Sequence, residues 1–179
     1  MRGQARRKEA VGGCGTGFTL VELLIVIVLL GILIAIVVPQ LAQDTNDARL
    51  ASLDANLVQL RAAIERYYQE HHEAYPGTTD AVSGRKPASD PTSAFVQQLT
   101  RYTDANGVVS SARTDVFRFG PYLRSSALPP NPYTGDNSVV ADLGSRSVTA
   151  AIWDGTTAWK FAVNTGRFVA NDDPKHAQR

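Results

Sequence analysis

The amino-acid sequence predicts an α+β fold in which one long N-terminal helix packs on a small antiparallel β-sheet. Three patterns lead to this prediction: an apolar run of 21 residues at positions 18–38, an amphipathic helical pattern that continues to about residue 70, and apolar–polar alternation in the last third of the 179-residue chain. An amphipathic helix and a sheet with one apolar face each bury their apolar side by packing on the other.

The apolar run has the length of a membrane-spanning helix. It contains one charged residue, Glu22. A helix rises 1.5 Å per residue, so a run of this length covers a hydrocarbon core of about 30 Å. Four basic residues and one acidic residue precede the run. This basic flank predicts that the N-terminus stays in the cytoplasm and that the rest of the chain is translocated.

Pro39 ends the apolar run, but the helical pattern resumes after it. A proline ends a soluble helix or kinks a membrane helix. Apolar residues then recur every three or four positions, as they do on one face of a helix. These residues are Leu50, Leu53, Leu57, Leu60, Ile64 and Tyr67. We therefore expect a nearly continuous helix from residue 18 to about residue 70.

The first part of the remaining chain predicts a surface loop and a short helix. Residues 78–92 are rich in Ser, Thr, Asp, Gly and Pro, which is the composition of a loop. The helix after this loop has Asp90 or Ser93 as its N-cap. Its inward-facing side chains are expected to be Phe95, Leu99 and Tyr102.

The last third of the chain predicts three short strands. They cover residues 147–153, 157–163 and 167–170, and Asp-Gly and Asn-Thr-Gly turns separate them. On the middle strand, alternate residues form one apolar face, namely Trp159, Phe161 and Val163. We expect the strand tryptophans, Trp153 and Trp159, to pack against a core rather than to form an exposed binding platform.

Composition and cysteine content exclude several function classes. The leader has a net charge of +3 and the rest of the chain one of −2, which together give +1. The rest of the chain therefore lacks the basic surface that nucleic-acid binding needs. The single cysteine, Cys14, precedes the apolar run, whereas a lipid-anchored cysteine would follow it. No serine or cysteine nucleophile has a histidine base partner that the sequence supports. We therefore do not expect an enzyme.

His71, His72 and Glu73 form a candidate metal cluster at the end of the long helix. Neighbouring residues on a helix point about 100° apart, so two adjacent histidines do not readily share one ion. The alternative is that the histidines are exposed residues at the helix end, where the negative end of the helix dipole favours them. We expect this second arrangement.

The run GFTLVE at residues 17–22, in front of the apolar run and behind a basic leader, resembles the type III signal of type IV pilins and of the pseudopilins of type II secretion. In that family a prepilin peptidase cuts after the glycine and methylates the new N-terminus. The resemblance implies cleavage between Gly17 and Phe18 and N-methylation of Phe18. It also implies a pilin-like fold and no catalytic site.

The same resemblance divides the chain into four parts. Residues 1–17 would be a cytoplasmic leader that is removed, and residues 18–38 a transmembrane helix that becomes the filament core. Residues 39–70 would continue the helix in amphipathic form. Residues 71–179 would form a periplasmic or extracellular α+β region.

The resemblance also implies assembly roles for Glu22 and Pro39. A charged group near the centre of a membrane helix costs about 2.5–3.5 kcal/mol. In a filament, the Glu22 carboxylate of one subunit would neutralise the Phe18 amine of the next and set the subunit register. The alternative is a glutamate that reaches the lipid headgroups. Pro39 would either let the helix melt locally in a filament core or mark a kink where the helix leaves the membrane.

Calcium is a further property that the resemblance suggests, because major pseudopilins often bind Ca²⁺ in a C-terminal loop. Ca²⁺ needs clustered oxygen ligands, and the C-terminal loops contain five aspartates: Asp136, Asp142, Asp154, Asp172 and Asp173. Asp172 and Asp173 are the first candidates. The alternative is that all five are solvated turn residues.

These features together predict a structural subunit of a type II secretion pseudopilus. It would be held in the inner membrane by a single span, with its N-terminus in the cytoplasm and its C-terminal domain in the periplasm. Its expected partners are further copies of itself, other pilin-like subunits, prepilin peptidase, the inner-membrane assembly platform and the secretion ATPase. The alternatives are a type IV pilus or competence pilin, active in adhesion, motility or DNA uptake, and a membrane-anchored periplasmic binding module.

Overall fold

The computed structural model describes residues 17–144 and 153–179, without the side chains of residues 37–42 and 44. It divides the chain into two compact units, Met1–Thr45 and Asn46–Arg179. The second unit contains helix and strands together, which confirms the predicted α+β fold.

The predicted long helix is confirmed. Helix α1 runs from Leu20 to Glu70 without interruption, and its backbone remains helical at Pro39. In the first unit, the large apolar side chains of this helix from Leu20 to Ile36 are exposed. In the part of the chain that the structure describes, no helix holds an apolar stretch long enough to cross a membrane.

The amphipathic stripe of α1 forms one side of the core of the second unit. Its buried members are Leu53, Leu57, Leu60, Ile64 and Tyr67, while Leu50 is half-buried. The other side of the core comes from the remaining elements, chiefly Phe95, Leu99, Trp159, Phe161 and Phe168. Burial of each large apolar side chain contributes about 1.5–3 kcal/mol.

The short helix α2, Pro91–Thr100, begins where the sequence predicts it. Asp90 is its N-cap and accepts a hydrogen bond from the Ser93 backbone N–H at 3.0 Å. Such a cap is worth about 1 kcal/mol. Phe95 and Leu99 are buried, as expected. Tyr102 lies beyond the helix, in the first strand, and is half-buried.

Two small sheets complete the second unit. Strands β1 (Tyr102–Thr103) and β2 (Val109–Ser110) pair antiparallel. Strands β3 (Val139–Asp142), β4 (Trp159–Ala162) and β5 (Arg167–Ala170) form a second sheet in that order.

The second sheet is mixed, whereas the sequence predicted an antiparallel one. Strand β5 pairs antiparallel with β4 through the Asn-Thr-Gly turn, as predicted, but β3 pairs parallel with β4. Residues 139–142 were not among the predicted strands. The predicted strand at residues 147–153 lies outside the described residues, except for Trp153, which is not in a strand.

The second sheet buries side chains on both faces. Trp159, Phe161 and Phe168 face the core that includes α1. On the opposite face, Ala162 and Val169 contact Ala177 from the C-terminal segment. Trp153 packs against the same cluster. The sequence pattern predicted one apolar face for this sheet and did not reveal the contact with Ala177 on the other face.

Candidate processing and assembly segment

Helix α1 begins two residues after the predicted cleavage site. Gly17, Phe18 and Thr19 are not helical. Thr19 acts as the N-cap: its hydroxyl accepts a hydrogen bond from the Glu22 backbone N–H at 3.2 Å, and its carbonyl accepts one from the Leu23 N–H at 3.2 Å. The Gly17–Phe18 peptide therefore lies outside the helix.

The capping role of Thr19 is a feature that the sequence reasoning missed. The signal was present, because Thr19 and Glu22 have the Ser/Thr-x-x-Glu spacing of a capping box. In that motif the first side chain bonds to the N–H of the fourth residue, as Thr19 does here. Substituting such a cap with alanine costs about 1 kcal/mol.

The Glu22 carboxylate is exposed in the first turn of α1. It belongs to none of the ion pairs that the structure shows among residues 17–144 and 153–179. The helix dipole stabilises a negative charge at this end by about 0.3–1 kcal/mol. The described chain thus presents a carboxylate that can accept a cation from another molecule.

The residues around Glu22 form a continuous exposed apolar surface. Phe18 is 73% exposed, and the most sheltered of the large apolar residues, Val26, is still 43% exposed. Soluble monomers rarely expose apolar patches larger than a few hundred Å², and larger ones mark protein or membrane contacts. The surface extends from Phe18 to Ile36. We refer to these residues as the apolar surface.

The two adjacent histidines have different environments. His71 is 2% exposed and bonds through both ring nitrogens, so the expectation that it is an exposed residue is wrong. Its burial arises because residues 102–122 cover the end of the helix. His72 is exposed, as expected. His72 and Glu73 have positive φ angles of 54° and 58° as the chain leaves the helix.

Among the described residues, the five C-terminal aspartates do not gather into one cluster of ligating side chains. Within the described residues, no three metal-ligating side chains lie close enough to hold an ion. Asp172 instead accepts hydrogen bonds from Asn131 Nδ2 at 2.8 Å and from the His176 ring at 2.6 Å. Asp173 accepts one from the Lys175 backbone N–H at 2.7 Å. Both candidates serve the local fold.

The other three aspartates also accept hydrogen bonds from neighbouring parts of the chain. Asp136 accepts hydrogen bonds from Asn137 and Ser138. Asp142 accepts one from the Gly144 N–H at 2.7 Å. Asp154 bonds to Lys160, Thr156 and Asn171.

Trp159 lies in the core, as predicted. It is fully buried, and its Nε1–H donates to the Pro129 carbonyl at 3.0 Å. Trp153 is half-buried against the second cluster of the sheet. Neither ring forms an exposed binding platform.

Comparison with known proteins agrees with the N-terminal motif. Residues 16–38 match the family described as the prokaryotic N-terminal methylation motif. The chain is 35% identical over 78 residues to the type II secretion system core protein G of Pseudomonas aeruginosa. This match covers 42% of this chain and 54% of that protein. It is 29% identical over 127 residues to the core protein G of Klebsiella michiganensis, covering 70% and 72%.

A type IV pilus protein is also similar. The match to the type IV narrow pilus major component PilA5 of Thermus thermophilus is 51% identical over 47 residues, which is 26% of this chain and 40% of that protein. The chain spans about half the length of the first two of these relatives. No solved structure is significantly similar to this chain. The methylation motif and these partial matches show that the chain is similar to type IV pilins and to type II secretion pseudopilins over the matched segments.

Proposed function

We propose that this protein is a structural subunit of a type II secretion pseudopilus, the filament that drives protein export across the outer membrane. The observation that carries the proposal is the start of α1, where the exposed Glu22 carboxylate lies within the apolar surface. Both features need partners that this chain does not supply among its described residues. The similarity to proteins named type II secretion system core protein G supports this proposed function.

The proposed sequence of events begins at the inner membrane. Residues 18–38 insert as a single span, with the basic leader in the cytoplasm and residues 71–179 in the periplasm. A prepilin peptidase then cuts between Gly17 and Phe18 and methylates the Phe18 amine. The position of this peptide before the capped helix start supports the site of the cut.

Assembly then pairs charges between neighbouring subunits. The positive Phe18 amine of one subunit meets the Glu22 carboxylate of the next, while their apolar surfaces pack together. In an apolar surrounding the attraction between opposite charges is only weakly screened, so the pair selects one register. Pro39 gives the helix a point of reduced backbone hydrogen bonding. We assign it the role of letting neighbouring helices adjust in the filament core.

The proposed partners are further copies of this chain, other pilin-like subunits, the inner-membrane assembly platform and its ATPase.

The second candidate function is a type IV pilus subunit, which the similarity to PilA5 favours. A strain that lacks the protein separates the two: loss of protein export with normal surface fibres supports secretion, and loss of fibres with normal export supports a pilus.

Glu22→Ala tests the assembly step. We expect the variant to insert into the membrane and to be cleaved, but to form filaments at no more than about a tenth of the normal level, equivalent to a loss of about 1.4 kcal/mol. Glu65→Ala, on an exposed face of the same helix, is the matched control and should assemble normally. Normal assembly of Glu22→Ala would contradict the register role and favour a membrane anchor for another function.

A further inference from the structure

His71 links the end of α1 to the short sheet. It directly follows Glu70, the last residue of the helix. Its Nδ1 lies 2.9 Å from the Tyr67 carbonyl oxygen, and its Nε2 lies 2.9 Å from the Thr103 hydroxyl. Thr103 in turn exchanges backbone hydrogen bonds with Phe119 at 3.0 and 3.2 Å. The ring therefore connects the helix to two other segments of the chain.

These contacts define the protonation state of the ring. A carbonyl oxygen only accepts, so Nδ1 must carry the proton that is donated to Tyr67. In the neutral ring, Nε2 is then the acceptor, and the Thr103 hydroxyl donates to it. In this state both ring nitrogens and the buried Thr103 hydroxyl are satisfied.

The surroundings of the ring are largely aromatic. Tyr67 stacks on His71 with 3.8 Å between ring centroids and an angle of 3° between the planes. Phe119 and Tyr122 contact the ring at centroid distances of 5.2 and 6.2 Å. Such a site favours a neutral imidazole, because it replaces water without offering a counter-charge in contact with Nε2.

The charged groups near the ring oppose this preference only in part. The Glu70 carboxylate is occupied by the Tyr122 hydroxyl at 2.6 Å and by Arg66 at 3.2 Å. Asp104 follows Thr103, and Lys86 lines the same cavity of about 80 Å³ as His71. Burial lowers the pKa of His71, and hydrogen bonds with the backbone of Tyr67 and of Asp104, together with the charges of Glu70 and Asp104, raise it by less.

We propose that His71 is a proton-sensitive latch that holds β1 and residues 119–122 against the end of α1. A proton on Nε2 turns the acceptor of the Thr103 hydroxyl into a donor that faces it. The hydroxyl must turn its proton away from Nε2, and a positive charge is left among Tyr67, Phe119 and Tyr122. Opening of this contact lets water reach the ring.

The pH window follows from the sign of the shift. The unfolded ring has a pKa of about 6.5. Because the folded pKa is lower than this value, the open state binds more protons, and the latch weakens as the pH falls below about 6.5.

Hydrogen exchange of the full chain in detergent micelles, compared between pH 7.5 and pH 5.0, tests the latch. After correction for intrinsic exchange rates, the amides of Thr103 and Phe119 should lose protection on the order of tenfold at the lower pH. His71→Gln should remove this pH dependence. His72→Gln, which changes the exposed neighbour, should keep it.

A second measurement needs no variant. In NMR titrations of the unmodified chain, the His71 ring should titrate below the pH of about 6.5 at which an unfolded histidine does, and the Thr103 amide signal should follow the same curve. Unchanged protection between the two pH values, or the same loss of protection in His71→Gln, would overturn the proposal. So would a His71 titration that does not move the Thr103 amide.

Discussion

The side chain of Gln98 donates a hydrogen bond from Nε2 to the carbonyl oxygen of Gly107 at 2.8 Å. Gln98 lies on α2 and is 0% exposed. The same Nε2 donates to the Thr79 carbonyl at 3.0 Å, and Oε1 accepts from the Gly77 N–H at 2.8 Å. One buried amide therefore holds two loops on the short helix.

Gln98→Leu is expected to destabilise the protein by about 2–4 kcal/mol. The substitution leaves the Gly77 N–H and the Gly107 carbonyl buried without partners, and each such group costs about 1–3 kcal/mol. The midpoint of urea unfolding for the full chain in detergent measures this loss. Gln97→Leu, next to it on α2 and bonded only to Ser93 within the helix, should cost less than about 1 kcal/mol. Equal effects of both substitutions would argue against the role of Gln98.

Gly107→Ala should destabilise the protein more than Gly135→Ala. Both glycines have positive φ, 83° and 72°, which costs a residue with a side chain about 1–2 kcal/mol. A Cβ at Gly107 would lie 2.5 Å from Thr79 Oγ1 and 2.6 Å from the Tyr67 hydroxyl, whereas a Cβ at Gly135 would meet nothing within 4 Å. We expect about 2–4 kcal/mol for Gly107→Ala in total. Similar unfolding midpoints for the two variants would contradict this difference.

Asp154→Asn should reduce the acid sensitivity of the domain. Hydrogen bonds from Lys160, Thr156 and Asn171 hold the pKa of Asp154 well below its usual range. Such a carboxylate stabilises the fold at neutral pH, and this contribution is lost as the pH falls through the lowered pKa. The variant should be less stable at pH 7 but should lose less stability between pH 4 and pH 2. The control Asp115→Asn, at an exposed loop position, should keep the acid profile of the unmodified chain.

Intact-mass measurement of the membrane form should show a chain that begins at methylated Phe18. The Gly17–Phe18 peptide lies before the Thr19 cap and is not helical, so it is accessible to a peptidase. Replacing Gly17 should leave the fold unchanged, because a Cβ at this position would meet nothing within 4 Å. Retention of residues 1–17 in the membrane form of the unmodified chain would refute the processing site.

Addition of a chelator should leave the melting temperature unchanged. Asp172 accepts hydrogen bonds from Asn131 and His176 through both carboxylate oxygens, and Asp173 accepts one from Lys175 through Oδ1. An ion bound only to the folded state would raise stability in proportion to the logarithm of its concentration. A fall in melting temperature on chelation, reversed by added Ca²⁺, would show that a structural calcium ion exists.

The sequence determined the long helix and the helical side of the core. Both follow from local periodicity, because the positions of apolar residues along one helix alone decide which face is buried. The α2 cap at Asp90 and the β4–β5 hairpin were predicted for the same reason, since each depends on residues close together in the chain. The capping motif of Thr19 and Glu22 was equally readable and was missed.

Tertiary structure decided the features that join distant residues. The burial of His71 depends on Thr103 and Phe119, and the burial of Gln98 on loops about 20 and 10 residues away. The parallel pairing of β3 and the contact of Ala177 with the sheet have the same origin. The sequence around a polar side chain is the same whether that side chain bonds to water or to a residue far away in the chain. Only the folded structure shows whether water or a distant residue satisfies its hydrogen bonds.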